Sequence, residues 1–149
     1  MCLATTKKET EEFRKKNKDK ESIWCYKVYK RFTRSNNRNV LRSIFYDTGC
    51  SIKPGVIKSN RSRLNFDKRD RDYCIATVRA INSCLGWSIS KGIYVYQYKR
   101  DAERHCNLDE KVVRIKCLMS EFVAYNSWDN IAVFRTVYLP EEEYNKAIE

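Results

Sequence analysis

Ile23 to Phe32 alternates with a period of two: Trp24, Tyr26 and Val28 fall on one side, Cys25, Lys27 and Tyr29 on the other. Aromatic and β-branched residues that change sides at every step fit a pleated strand and not a helix. The pattern returns three times. Ile93 and Val95 alternate with Tyr94, Tyr96 and Tyr98; Val113, Ile115 and Cys117 alternate with Arg114 and Lys116; Ile131 to Leu139 is a further strand, stopped by Pro140. Val40 to Tyr46 reads as the partner of the first strand, since Ser35-Asn36-Asn37 between them is turn chemistry, and the two make a hairpin. Lys53-Pro54-Gly55 marks another turn, and the polar, basic stretch from Lys58 to Arg71 reads as a long exposed loop.

Helical spacing appears where the alternation lapses. Ile75, Val78, Ile81 and Leu85 lie three or four apart, with Asp70 or Asp72 available as a cap and Gly86 as a stop, which predicts one main helix over about 72–85. Short helices are expected near 99–106 and over 141–148, the second opening with Glu141, Glu142 and Glu143 where negative charge suits the dipole. The sum is an α+β fold, a mainly antiparallel sheet with one main helix. A chain of 149 residues with four Gly and two Pro has no flexible linker to divide it, so residues 22–149 read as one domain. Residues 1–21 are mostly charged, with Phe13 alone as an apolar anchor, and are expected to be a flexible or frayed-helical arm. Within it Thr6 and Glu9 have capping-box spacing.

The net charge of +11 is not spread evenly. Between Ser22 and Phe66 stand ten Lys or Arg against one acid, Asp47, whereas residues 67–149 carry thirteen of each sign. A local cationic field points at phosphate. The bases are interleaved with Trp24, Tyr26, Tyr29, Phe32, Phe45 and Tyr46, the mixture that lets cations hold phosphates while aromatic faces stack on bases. The candidate nucleic-acid contacts are Lys27, Lys30, Arg31, Arg34, Arg38, Arg42, Lys58, Arg61 and Arg63, with Trp24 and Tyr29 as stacking candidates. Aromatics in a strand are more often core than platform, so only two or three of the six are expected at the surface. RNA is preferred over DNA as partner, because nothing resembles a helix-turn-helix, a zinc finger or a groove-reading helix.

Other chemistries find less support. Seven cysteines at scattered spacing, with no Cys-x-x-Cys and no paired histidines, read as buried thiols in a reducing cytoplasm and not as a disulfide framework or metal site. No apolar run approaches a membrane span, and Met1 to Lys8 lacks the apolar core of a signal peptide. His105 is the lone histidine, Glu121 and Asp109 have no visible partner, and no phosphate-cradling glycine loop is present. The expectation is a non-enzyme without cofactor or metal; a transferase using a nucleotide cofactor is the least excluded enzyme. Two alternatives stay open: a sponge that folds the Arg cluster around a signalling nucleotide, and a protein-binding inhibitor that exposes Tyr94, Tyr96 and Tyr98. Those tyrosines could equally pack under the main helix.

Three segments together resemble a family of small phage and prophage proteins: the Met1-Cys2-Leu3-Ala4-Thr5 start, the Cys25-Tyr26-Lys27-Val28 strand, and the pairing of Gly92-Ile93-Tyr94-Val95-Tyr96 with Val112-Val113-Arg114-Ile115-Lys116-Cys117. Where relatives carry a Gly-Phe-His-Ser-Phe motif, this chain has Ile93 and Tyr94 in place of its Phe and His, so any role of that histidine is missing. The resemblance implies a viral protein of a bacteriophage, working in the host cytoplasm. It also implies an inhibitor of a host defence such as a CRISPR nuclease, an anti-CRISPR role reached through RNA or a ribonucleoprotein. It supplies no catalytic residues.

Overall fold

The computed structural model describes residues 3–44, 51–58, 86–89 and 92–149. The main helix expected over 72–85, the loop from 59 to 71 with Arg61 and Arg63, and Phe45 and Tyr46 lie outside those residues. Within them the α+β expectation holds, with a mainly antiparallel sheet carrying a few helices. The strands are β1 (Leu3–Thr6), β2 (Ser22–Thr33), β3 (Asn39–Arg42), β4 (Ser51–Ile52), β5 (Gly55–Lys58), β6 (Gly86–Ile89), β7 (Ile93–Tyr96), β8 (Glu110–Leu118), β9 (Phe122–Asn126), β10 (Ile131–Phe134) and β11 (Thr136–Leu139). The described helices are α1 (Lys7–Lys16), α2 (Lys99–Arg104) and α3 (Glu141–Ile148), with a 3₁₀ turn at Met119–Glu121.

The long strand β2 lies at the centre. It pairs with β8 from Ser22↔Leu118 to Lys30↔Glu110, and its other edge is shared by β7, through Tyr26↔Tyr96, and by β3, through Lys30↔Arg42. The main sheet runs β5-β11-β8-β2-β7-β10-β9, with β3 and β4 continuing beside the second half of β2. The expected hairpin is present, closed by Asn37 at φ 62°, where the left-handed backbone suits Asn. One expectation is corrected at the C-terminal end: Ile131 to Leu139 is two strands and not one. At Arg135 the chain leaves β10, which lies between β7 and β9, and enters β11, between β8 and β5. The inward positions pass from Ala132 and Phe134 to Val137 and Leu139, so the alternation slips by one residue at this break, and a run read as one strand hides the slip.

Alternation gives the sheet an inner and an outer face. The inner face carries Cys25, Tyr29, Val95, Val113, Ile115, Cys117, Phe134, Val137 and Leu139, and these form the core together with Phe13 of α1 and Ala147 of α3. The register shifts between Val133 and Phe134, the mark of a bulge in the β9–β10 pairing, and both Phe122 and Tyr125 join the buried set.

Residues 7–16 differ from the frayed arm the composition suggests. Phe13 is 4% exposed, stacked on Tyr125 at 4.2 Å between ring centroids and tilted against Phe122 at 5.0 Å. The rest of the docking is polar. Tyr125 N–H donates to Thr10 Oγ1 at 3.2 Å, Thr5 Oγ1 donates to the Tyr125 carbonyl, and Ser127 N–H donates to Glu9 Oε1 at 2.8 Å. A helix held by one aromatic side chain and by hydrogen bonds to a sheet edge needs no apolar stripe, and a stripe is what hydropathy patterning looks for. At its other end Asn17 closes the helix, its Nδ2 donating to the Phe13 carbonyl at 2.9 Å.

A second helix caps a strand edge in a similar way. β11 meets β8 at Cys117 and Lys116, and further along β8 the Arg114 N–H is taken by Glu143 Oε2 of α3 at 3.2 Å. No helix among the described residues is long and apolar enough to cross a membrane.

Candidate nucleic-acid interface

The alternation that makes β2 a strand also divides its cations between two faces. Lys27 and Tyr29 point inward, which removes both from the candidate contacts. Lys27 Nζ donates to the Tyr94 carbonyl at 2.8 Å and sits 5.6 Å from the centre of the Tyr29 ring, and burial lowers its pKa to about 8. Tyr29 is 1% exposed, and burial raises the pKa of its hydroxyl. Arg31 shares their side of the strand; its backbone N–H donates to the Asp109 carbonyl at 2.8 Å and its guanidinium to the Glu149 carbonyl at 2.6 Å. It ties β2 to the end of α3.

The remaining cations of the hairpin do gather. Lys30 faces outward, paired with Asp109 at 3.4 Å, and the Arg42 guanidinium lies 3.9 Å from the centre of the Phe32 ring. Arg34 donates to Ser51 Oγ at 2.6 Å, and Arg38 is exposed in the turn. Four of the predicted contacts, Lys30, Arg34, Arg38 and Arg42, therefore occupy one end of the sheet.

A second group forms at the other end of the outer face, and register defines it. Val56 pairs with Tyr138, Tyr138 with Lys116, and Lys116 with Trp24, giving one row across β5, β11, β8 and β2. At about 4.8 Å per strand the row is ~14 Å long, with Trp24 and Tyr138 ~10 Å apart on either side of Lys116. Val56 is 63% exposed, Tyr138 45% and Trp24 41%. The Arg114 guanidinium stands 4.3 Å from the centre of the Trp24 ring, and Lys58, on the next row, is exposed. No carboxylate side chain belongs to either row. An arginine stacked on an indole offers a flat cationic surface to a base, and lysines beside it reach phosphate oxygens.

The row of Lys30 and Arg42 lies six residues along β2 from the row of Trp24 and Lys116, ~20 Å. Between them α2 packs against β2, β7 and β8, with His105 just beyond its end stacked on Tyr96 at 5.6 Å. His105 is thus part of the packing on this face. Among the described residues no three of His, Cys, Asp and Glu converge as metal ligands. Cys25 and Cys117 are both buried, and a hydrogen bond between them together with burial raises the pKa of the Cys117 thiol.

Of the sequence candidates, the structure thus places Trp24 and Lys58 in one exposed group and Lys30, Arg34, Arg38 and Arg42 in another. Arg31, Lys27 and Tyr29 lie away from both. Arg114, Lys116 and Tyr138 were missed because cations were counted along the chain, where residues 67–149 balance, and not across it. The usable signal was the phase of the β8 alternation, which sets Arg114 and Lys116 opposite the core positions Val113, Ile115 and Cys117. No family model matches this chain, and neither a curated protein nor a solved structure matches it.

Proposed function

We propose that the protein binds single-stranded nucleic acid, RNA in preference to DNA, across the outer face of the sheet at its Trp24 end. The row Val56–Tyr138–Lys116–Trp24 carries this reading. Its two exposed rings can each take a base, Lys116 between them can meet the connecting phosphate, and Arg114 and Lys58 extend the cationic surface. A flat platform of this kind suits unpaired bases; a duplex hides its base faces and would meet only the charges. The hairpin group of Lys30, Arg34, Arg38 and Arg42 adds a long-range attraction that speeds encounter. In the phage setting that the sequence resemblance suggests, the nucleic acid is that of a host-defence ribonucleoprotein, and occupying it is the means of inhibition.

The test is fluorescence anisotropy with a labelled single-stranded RNA of ~10 nucleotides. Trp24→Ala should weaken binding by about 1–3 kcal/mol, roughly 5- to 150-fold. Lys116→Gln should weaken it and lower the salt slope by about 0.7. Unchanged affinity of the Trp24 variant, or an affinity that does not fall with salt, would remove the proposal.

A further inference from the structure

Beside the platform, at the ends of β2 and β8, lies an open cleft of about 520 Å³. One wall comes from the end of α1 and the turn after it, with Arg14, Lys18 and Lys20; the other is Leu118 and Met119, and Glu21 sits at the junction. Leu118 pairs with Ser22, one row beyond Lys116 and Trp24 on the same outer face, so cleft and platform are neighbours, ~7 Å apart along the strands. The volume falls within the usual range of small-ligand sites. Its chemistry is divided in a way that matches one ligand class, with three cations on one side, an apolar wall on the other and a carboxylate between.

We propose that this cleft is a ribonucleotide subsite continuous with the platform, an inference that rests on the sheet-face reading above. Lys18, Lys20 and Arg14 hold the phosphate, Leu118 and Met119 pack against the base, and the Glu21 carboxylate accepts hydrogen bonds from the ribose hydroxyls. A carboxylate serves this last role in dinucleotide sites, where it meets the 2′-hydroxyl, the group that tells RNA from DNA. Arg14 is held in place for the task, its guanidinium 5.4 Å from the centre of the Phe122 ring. The backbone is fixed as well: Met119 N–H donates to the Glu21 carbonyl at 2.9 Å, which ties the apolar wall to the junction, and Lys20 N–H donates to the Asn17 carbonyl at 3.0 Å, which closes the turn of the cationic wall. The charged segment at the start of the chain thus supplies half of a binding site.

The experiment compares an RNA and a DNA of the same ~8-nucleotide sequence on the wild-type chain and on three variants, Trp24→Ala, Lys18→Gln/Lys20→Gln and Glu21→Ala, each checked by thermal melting. Lys18 and Lys20 are exposed, so their replacement leaves the fold intact. Loss of two phosphate contacts should lower the salt slope by about 1.4 and weaken RNA binding about 25-fold at ~0.1 M salt, relative to an unchanged affinity extrapolated to ~1 M. Glu21→Ala should bring RNA affinity down to that for DNA while DNA binding is kept or improved. If the lysine double variant keeps the wild-type slope while Trp24→Ala still weakens binding, the cleft is not a subsite and the platform reading stands. If Trp24→Ala has no effect, the platform reading fails, and this inference with it.

Discussion

Lys27→Met should stabilise the protein at neutral pH and lose that advantage in alkali. The folded chain gives up the Lys27 proton at about 8, against 10.5 for the free side chain. Below pH 8 both folded and unfolded chains are protonated at this site, and the full cost of burying the ammonium, about 3 kcal/mol, weighs on the fold. Between the two values the unfolded chain binds more protons, so stability rises with pH and the cost fades. Methionine fills similar space without the charge, but it leaves the Tyr94 carbonyl, the acceptor of Nζ at 2.8 Å, without that donor, a loss of about 1–3 kcal/mol. The variant should therefore gain up to about 2 kcal/mol at pH 7, and the difference should move by about 2.5 kcal/mol against it by pH 10. Urea unfolding of both proteins in reducing buffer at intervals from pH 7 to 10 measures this. Tyr29 and Cys117 lie beside Lys27, but the pKa of each is raised, by burial for Tyr29 and by the hydrogen bond to Cys25 together with burial for Cys117, as burial also does for Tyr125. All three therefore stay protonated in either folded chain over this range and leave the difference to Lys27. A difference flat across that range would refute a buried, depressed lysine.

Phe13→Ala should cost about 3–5 kcal/mol in urea unfolding, since the ring is fully packed against Tyr125 and Phe122; a loss below about 0.5 kcal/mol would mean that the helix does not dock. Thr10→Ala removes the acceptor of the Tyr125 N–H and should cost about 1 kcal/mol, seen locally as faster hydrogen exchange at Tyr125 and slower change elsewhere. Arg34→Glu/Arg38→Glu should slow RNA association at low salt while leaving dissociation near its wild-type rate, as measured by stopped flow; a change confined to dissociation would place these residues in the bound interface instead.

The strands were legible because β2, β7 and β8 alternate strictly over a half-buried sheet, and the same alternation already separated core from surface in β8. What sequence reading could not supply was adjacency. Lys27 and Lys30 are three residues apart and look alike as charges, yet one is in the core and the other in solvent, because odd and even positions of a strand face opposite ways. Trp24 and Tyr138 are 114 positions apart in the chain and ~10 Å apart on the sheet, a relation that only the register of β8 between them creates. The docking of α1 was hidden for another reason. Thr5 and Thr10 are polar residues whose partners are backbone groups of Tyr125 in β9, Glu9 takes the Ser127 N–H just past that strand, and no pattern of hydropathy marks a side chain that will complete another segment's hydrogen bonds.

The change of neighbours at Arg135 bears on how the chain is made. Among the described residues β10 alone joins β9 to β7, and β11 alone joins β5 to β8, so β5, complete by Lys58, waits for residues 136–139 before it has a place in the sheet, and β9 waits for residues 131–134. Contacts this distant in sequence make for slow folding. A ribosome that has released everything up to Asn130 still holds back the piece that locks the sheet, and a nascent chain stalled there would present unpaired strand edges to chaperones and proteases.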